Sequence, residues 1–157
     1  MLDKIKNRKQ EGFTIIEVLI VLAIAGLILL IVFLAVPALQ RNSRNTQYKN
    51  AAGTLLTALS ESRTNNNGAL PTACSIAANG DITVTNTGGA VVVGRTQGGY
   101  TCVNNAAAKA ANDPAGAYNV ATGQKCNGTA IAAASRSIAV TYTVETSTGT
   151  IPQCVDS

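Results

Sequence analysis

Residues 11–39 read EGFTIIEVLIVLAIAGLILLIVFLAVPAL, and this stretch decides the fold of the chain. The nineteen residues Val18–Val36 carry no polar side chain, Gly26 included. A helix needs about 20 apolar residues to cross the hydrocarbon core of a bilayer. An ordinary secretory signal peptide has a shorter apolar core, of about 7–15 residues, before its cleavage site. The longer run therefore favours a membrane-spanning helix.

The charged residues are distributed unevenly around this run. The chain has 157 residues and a formal net charge of +4, yet residues 66–157 contain four basic and four acidic side chains and are neutral. Residues 1–12 carry four basic and two acidic side chains, and Arg41, Arg44 and Lys49 follow the run. Basic flanks are typical of a membrane segment, so we expect these three side chains to face solvent or lipid headgroups. A nucleic-acid interface needs a basic patch on the folded domain, so nucleic acid is not an expected partner.

Residues 40–67 change from uniformly apolar to amphipathic. Pro37 removes one backbone donor, which predicts a kink in the helix rather than its end. The helix is expected to end near residues 65–68, with Gly68 in the left-handed conformation that caps helices. The result is a single helix of about 50 residues. Its second half presents one apolar stripe to a core, with spacings of four, three and four residues between Tyr48, Ala52, Leu55 and Leu59.

Residues 68–157 are rich in Thr, Ser, Asn, Gly and Ala, and only 4% of the whole chain is aromatic. This composition predicts short strands, polar loops and a small core that needs covalent cross-links. We therefore predict an α+β fold in which the long N-terminal helix packs on a small antiparallel sheet. Its last two strands are expected to form a hairpin. Alternating and β-branched residues predict the strands Asp81–Thr85, Ala90–Arg95, Tyr100–Val103, Ser137–Glu145 and Thr150–Val155.

All four cysteines lie in this C-terminal part, and no pair has the C-x-x-C spacing found in many zinc sites. The chain also has no His, so neither a metal nor a cofactor is expected. Disulfides formed outside the cytoplasm are the better interpretation. Four cysteines permit three pairings. We favour Cys74–Cys102 with Cys126–Cys154, because both loops are then local, although the sequence does not establish which strands are neighbours.

No catalytic constellation stands out. The chain has no His, no G-x-S-x-G elbow and no phosphate-binding Gly-rich loop. We therefore expect no enzymatic activity and no catalytic residue.

The junction between the basic segment and the apolar run carries a specific motif. Gly12 is followed by Phe13 and Thr14, and Glu17 is the fifth residue counted from Phe13. This pattern resembles the type IV prepilin signature in its type IVa form, with pseudopilins as the near alternative. The resemblance implies a pilin-like fold and a leader peptide at residues 1–12. It also implies that a prepilin peptidase cuts between Gly12 and Phe13 and N-methylates Phe13.

The same resemblance implies a role in polymerisation for the transmembrane segment, residues 13–39. Glu17 would neutralise the N-terminal amine of a neighbouring subunit and set the subunit register, since opposite charges attract strongly in a low dielectric. Filaments of this family often loosen their helix between helix-breaking residues, which makes Gly26 and Pro37 candidates for loosening or for a kink. The Cys126–Cys154 bond resembles the one that bounds the C-terminal region of many pilins.

The predicted function is that of a structural subunit of a type IV pilus, used for adhesion, twitching motility or uptake. The expected partners are further copies of this chain, with or without minor pilins, the prepilin peptidase and methyltransferase, and an inner-membrane assembly platform. Before assembly the partner is the membrane itself. The precursor is expected in the inner membrane as a single-pass protein with a cytoplasmic N-terminus. The filament is expected to be extracellular.

Two alternatives to the pilus subunit stay open. A pseudopilin of type II secretion is the first, because residues 112–118 are similar to the Asp-Pro-x-Gly-x-x-Tyr stretch that precedes a calcium-binding loop in major pseudopilins. Here Ala115 stands in place of the usual aromatic, and few acids follow. The second is a DNA-binding competence pilin. The neutral C-terminal part argues against it, although Lys125 and Arg136 could form a local basic cluster. Neighbouring genes would distinguish the three.

Overall fold

The computed structural model describes residues 12–86, 88–95, 101–104, 108–110 and 113–157. The chain divides into two compact units, residues 1–39 and residues 40–157. The predicted leader lies outside the described residues except for Gly12, so its boundaries stay a prediction. One long helix followed by small sheets confirms the α+β, pilin-like fold.

Helix α1 runs from Ile15 to Asn65 without a break. Pro37 lies inside it, which confirms that this residue does not end the helix. A proline in this position has no N–H to donate to the preceding turn, so one backbone hydrogen bond is missing there. Loosening of the helix between Gly26 and Pro37 stays a prediction about the assembled filament.

The C-terminal end of α1 is closed by a Schellman-type turn. The Gly68 N–H donates to the Arg63 carbonyl at 2.9 Å, six residues back when both ends are counted. Asn67 has φ +53° and Gly68 has φ +84°. The helix therefore ends where the sequence predicts, and Gly68 is left-handed as expected, but Asn67, two residues after the last helical residue, is left-handed as well. Asn is the residue other than Gly that adopts this conformation most readily.

Seven strands follow in two sheets. The first sheet is antiparallel, in the order β1-β2-β3. The second has the order β4-β5-β6-β7, with β4 and β5 parallel and the other pairs antiparallel. There are thus two small sheets rather than one, and the second is mixed. The strands are β1 (Ala73–Ile76), β2 (Asp81–Asn86), β3 (Gly89–Arg95), β4 (Thr101–Asn104), β5 (Ala117–Asn127), β6 (Ala130–Glu145) and β7 (Thr150–Asp156).

Two of these strands were missed by the sequence patterns. β1 is only four residues long, and β5 contains Gly, Gln, Lys and Asn, which rarely mark a strand. β5 nevertheless supplies Tyr118 and Val120 to the core. The five predicted strands are confirmed, as is the hairpin of β6 and β7, but β6 begins seven residues before the predicted Ser137.

The core lies within residues 40–157, between the second half of α1 and the two sheets. Small side chains on α1 let the helix approach the sheets closely, and Tyr118 fills much of the remaining space. Its ring lies 6.2 Å from that of Tyr142, a distance at which aromatic pairs attract. The fully or nearly fully buried residues of α1 are Ala51, Ala52, Leu55, Ala58, Leu59 and Ser62.

A wide irregularity interrupts the pairing of β5 with β6. Thr122 pairs with Ile138 and Gln124 with Ala133, so a single residue of β5 faces four residues of β6, 134–137. Arg136, in this bulge, has φ +74°, which is uncommon for a residue with a side chain. Bulges of this kind redirect side chains away from the sheet.

A disulfide joins Cys126 of β5 to Cys154 of β7, with 5.8 Å between the two Cα atoms. These strands lie on opposite sides of β6 in the sheet order, so the bond joins strands that are not direct neighbours. The observed bond agrees with the favoured pairing. Cys74 is also disulfide-bonded. The side chain of Cys102, its predicted partner, lies outside the described residues, and that half of the pairing stays a prediction.

Candidate processing and assembly site

The residues of the predicted cleavage junction lie at the very start of α1. Gly12, Phe13 and Thr14 precede the helix, and all three are exposed. A Cβ built on Gly12 would meet no described atom within 4 Å. Both sides of the Gly12–Phe13 peptide bond are therefore open to an enzyme working at this position.

Thr14 and Glu17 hold each other in a capping box. The Thr14 N–H and the Thr14 hydroxyl both donate to Oε2 of Glu17, at 2.8 and 2.7 Å. The Glu17 N–H donates back to the Thr14 hydroxyl oxygen at 3.4 Å. This arrangement satisfies donors that the first turn of a helix otherwise leaves without partners. Thr14 is thus the N-cap of α1, and the Glu17 carboxylate is occupied within its own chain.

The role of Thr14 was missed in the sequence, although the signal is local. Ser or Thr followed three residues later by Glu, directly before an apolar run, is the pattern of a capping box. Thr14 and Glu17 both lie within the motif that begins at Gly12. A carboxylate near the hydrocarbon core is costly, and two short hydrogen bonds lower that cost without any partner from another chain.

The helix that follows is apolar on every side. No residue between Phe13 and Leu39 is buried, and Phe13 itself is 88% exposed. Within the described residues, α1 is the one helix long and apolar enough to cross a membrane. Soluble proteins rarely expose continuous apolar surface of more than a few hundred Å². This surface therefore requires lipid, other protein chains, or both in turn.

Gly26 and Pro37 lie within this apolar half. Gly26 is exposed, and a Cβ added to it would meet no described atom within 4 Å outside the neighbouring helix backbone. Its small size is therefore not required by packing inside a single chain. A glycine in a helix interior costs about 1 kcal/mol relative to alanine, so the position is a weak point of the helix.

Beyond the apolar half, Arg44 is exposed, as the sequence predicts, and it also forms an ion pair within its own chain. Its Nε lies 3.0 Å from both oxygens of Glu145, and its Nη2 lies 2.6 Å from Oε2. Asn45 forms two hydrogen bonds with the Glu145 backbone, at 2.8 and 2.7 Å. This Glu145 cluster fastens the end of β6 to α1. The hydrogen bonds from Arg44 lower the pKa of the Glu145 carboxyl below its usual value.

The Asp113 segment is similar to the stretch that precedes a calcium-binding loop in major pseudopilins. Here the oxygen atoms of Asp113 interact with other residues of the chain. The Asp113 carboxylate accepts a hydrogen bond from the Ala110 N–H at 3.0 Å and lies 3.9 Å from the ammonium group of Lys109, whose side chain is 8% exposed. Its backbone carbonyl accepts from the hydroxyls of Thr143 and Thr150. Across the described ranges, no three side chains of His, Cys, Asp or Glu lie together where they could hold a metal ion.

Comparison with known families agrees with the geometry at the helix start. Residues 7–33 match the model of the prokaryotic N-terminal methylation motif, which is the signature shared by type IV prepilins and pseudoprepilins. The chain carries a prepilin signature. No curated protein and no solved structure is significantly similar to the chain.

The prepilin signature covers Gly12, Phe13, Thr14 and Glu17 together with the first part of the apolar helix. It implies processing by a prepilin peptidase and assembly into a pilus-type polymer. With the exposed apolar helix, it fits a membrane-anchored precursor. Proteins of this class are structural subunits rather than enzymes.

Proposed function

We propose that this chain is a structural subunit of a type IV pilus, cut between Gly12 and Phe13, N-methylated on Phe13 and polymerised through α1. The observation that carries the proposal is the prepilin signature at the start of a helix that leaves its whole apolar half, residues 15–39, uncovered. A structural subunit of a polymer needs such a surface, because subunits can bury it against one another once they leave the bilayer.

The capping box suggests how Glu17 serves both states. In the precursor, the Phe13 nitrogen is an amide, and the Thr14 N–H and hydroxyl occupy the Glu17 carboxylate. Cleavage converts the Phe13 nitrogen into an amine that is positively charged. In the polymer, the carboxylate of one copy meets the amine of its neighbour. Each charge is costly in an apolar medium alone, and the pair is less costly, so the contact favours one subunit register.

The proposal includes an orientation and a final location. The N-terminus faces the cytoplasm in the precursor, and residues 40–157 lie outside, where the Cys126–Cys154 disulfide is stable. An inner-membrane platform adds copies of the chain to an extracellular filament. Adhesion, twitching motility and uptake are the activities that such a filament would serve.

A pseudopilin of type II secretion is the second candidate, on the basis of the Asp113 segment. Asp113 is hydrogen-bonded to Ala110 and lies near the Lys109 ammonium, an arrangement that supports the pilus subunit over a calcium-binding pseudopilin. Calcium sites need several oxygen ligands, usually with more than one carboxylate. Isothermal titration of the full chain in detergent with Ca²⁺ separates the two: saturable binding lost in Asp113→Asn would favour the pseudopilin.

Intact-mass measurement of protein from sheared filaments tests the main proposal. The expected mass corresponds to residues 13–157 with one added methyl group and two disulfides. Matched cells that express Gly12→Leu provide the control, because a bulky side chain at the junction blocks the approach of the peptidase to the backbone. They should retain the uncut chain in the membrane fraction. Filaments built from uncut chains would contradict the proposal.

A further inference from the structure

Two oppositely charged residues of α1, Glu61 and Arg63, lie close to its C-terminal end. Leu59 and Ser62 are buried against the sheets. A residue of an α-helix is rotated by about 100° from the one before it. Glu61 and Arg63 are therefore about 200° apart and lie on the two sides of the buried stripe. Glu61 is exposed and Arg63 is partly exposed.

A second arginine joins Arg63 on its side of the helix. The bulge in β6 brings Arg136 next to the end of α1, where Nη1 of Arg63 donates a hydrogen bond to the Arg136 carbonyl. Nη2 of Arg136 lies 3.1 Å from the point that a Cβ on Gly68 would occupy. Together with Thr64 and Asn67, these residues line an open cleft of about 440 Å³, here called the arginine cleft. The described residues that line it supply two guanidinium groups and no carboxylate.

A groove on the exposed face of α1, next to the arginine cleft, carries the complementary charge. The open groove has a volume of about 520 Å³ and meets the arginine cleft at Thr64; it is lined by Leu56, Thr57, Ser60, Glu61, Thr64 and Asn65 of α1 together with Ser157. We call this the glutamate groove. Its walls are small, polar or aliphatic, so the Glu61 carboxylate is accessible to a cation that approaches from outside.

Among the residues that the structure describes, these charges have no opposite partner. In that part of the chain, the ion pairs are Arg44–Glu145 and Lys109–Asp113, and neither includes Glu61, Arg63 or Arg136. Arg136 also holds an uncommon backbone conformation, φ +74°, to reach the cleft. Such conformations persist where the surrounding structure enforces them and are often found at functional positions.

We propose that the glutamate groove of one copy of this chain contacts the arginine cleft of the next copy in the filament. The inference rests on the proposed function as a polymer subunit. Two different patches that complement each other on one chain produce a head-to-tail contact, which propagates into an open helical array when it does not close into a ring. Opposite charges at such a contact select the register and exclude other arrangements more than they add affinity. The groove and the cleft thus extend the register contact of Glu17 to the exposed domain.

Charge exchange between the two patches tests this contact. Glu61→Arg and Arg136→Glu are each expected to lower the yield of sheared filaments at least about fivefold, because each places like charges together. The double variant Glu61→Arg with Arg136→Glu restores opposite charges and is expected to recover to within about twofold of wild type. Arg136 is the better partner to change, since the Arg63 side chain also holds a carbonyl of β6.

Lys125→Glu provides the matched control. Lys125 is exposed, lies outside both patches, and its reversal changes the net charge by the same amount as Arg136→Glu. It should leave the filament yield unchanged. Equal membrane levels of each variant, with the Cys126–Cys154 bond intact on non-reducing gels, show that each chain is folded.

A second measurement does not depend on charge. A chain with both Glu61→Cys and Arg136→Cys should form disulfide-linked ladders when filaments are oxidised, whereas each single variant should give no ladder above dimer.

Two outcomes of the charge exchange would overturn the contact while leaving the polymer function intact. One is a double charge variant as defective as both single variants together, and the other is normal filaments from both single variants. Binding of inorganic phosphate, seen by ³¹P NMR and lost in Arg136→Glu without any loss of filaments, would instead assign the cleft to a free anion. A wild-type chain that makes no filaments would overturn both proposals.

Discussion

The two halves of α1 differ in what covers them. Every described residue from Ile15 to Leu39 is exposed, whereas Ala52, Leu55 and Leu59 in the second half are fully buried by the sheets. Both halves belong to one continuous helix. The first half is apolar all round, so it needs a surrounding medium; the second is amphipathic, so it needs one packed face. The two halves of one helix therefore have different packing partners: the first half contacts lipid or neighbouring chains, and the second half packs against its own domain.

The largest expected effect concerns the first half. Glu17→Ala should insert into the membrane at least as well as wild type, because it removes a charge from the edge of the bilayer. Filament yield should fall at least about tenfold, since the amine of a neighbouring copy is left without its carboxylate. Quantitative immunoblots of sheared and membrane fractions measure both effects.

Leu19→Ala is the control for Glu17→Ala, because it changes the same exposed part of the helix without removing a charge. Normal filament yield from Glu17→Ala would show that this carboxylate does not set the register. A matching loss from Leu19→Ala would show that the apolar surface alone limits assembly.

A pair of identical substitutions separates the two halves directly. Leu59→Ala should lower the free energy of unfolding of the C-terminal domain by about 2–5 kcal/mol, because it leaves a cavity in the core. Leu29→Ala, at a position that is 56% exposed, should change it by less than about 0.5 kcal/mol. Urea unfolding of the full chain in detergent, followed by near-ultraviolet circular dichroism of the tyrosines, measures both. Equal effects would contradict the division of α1 into a lipid half and a domain half.

The disulfide is expected to affect only the folding of the C-terminal domain and not the membrane segment. Replacing Cys126 and Cys154 together by Ser should destabilise residues 40–157 by about 3–4 kcal/mol, the chain-entropy value for a loop of this length. Membrane insertion of residues 13–39 should not change. Carbonate extraction of the membranes checks insertion, and urea unfolding checks stability. A variant that unfolds like wild type would mean that the β5–β7 contact holds without the bond.

The smallest effect is expected at the Glu145 cluster. Because Arg44 lowers the pKa of Glu145, the pair stabilises the fold above the unfolded carboxyl pKa of about 4.3, and this stability is lost as the pH falls through the lower, folded pKa. Glu145→Gln should lower the melting temperature by about 2 °C or less at pH 7, since Arg44 is solvent-accessible and screened. Wild type and variant should then converge as the pH approaches 3. A difference in melting temperature between wild type and Glu145→Gln that stays the same from pH 7 to pH 3 would contradict this stabilising ion pair.

Much of the first unit could be predicted because its signals are local. The apolar run, the Gly12–Phe13 junction and Glu17 are neighbours in sequence, and the Thr14 cap could have been found from the same few residues. Helix ends are local as well, which is why the end of α1 near Asn65 was predicted correctly. The strand β5 was missed because its composition is that of a polar loop, and only burial of Tyr118 and Val120 against other elements makes it a strand.

The sequence by itself determined that a long helix with an apolar first half precedes a small β domain, because hydrophobic periodicity and length act within a continuous segment. Only the tertiary structure decided which distant residues meet. Arg44 and Glu145 are 101 residues apart, and nothing local to either residue pairs them. Strand order decides three further features in the same way. They are the bulge that places Arg136 beside Arg63, the parallel pairing of β4 with β5, and the Cys126–Cys154 bond across β6. Strand order is set by how the whole domain buries its few large side chains, and no single segment of the chain contains that information.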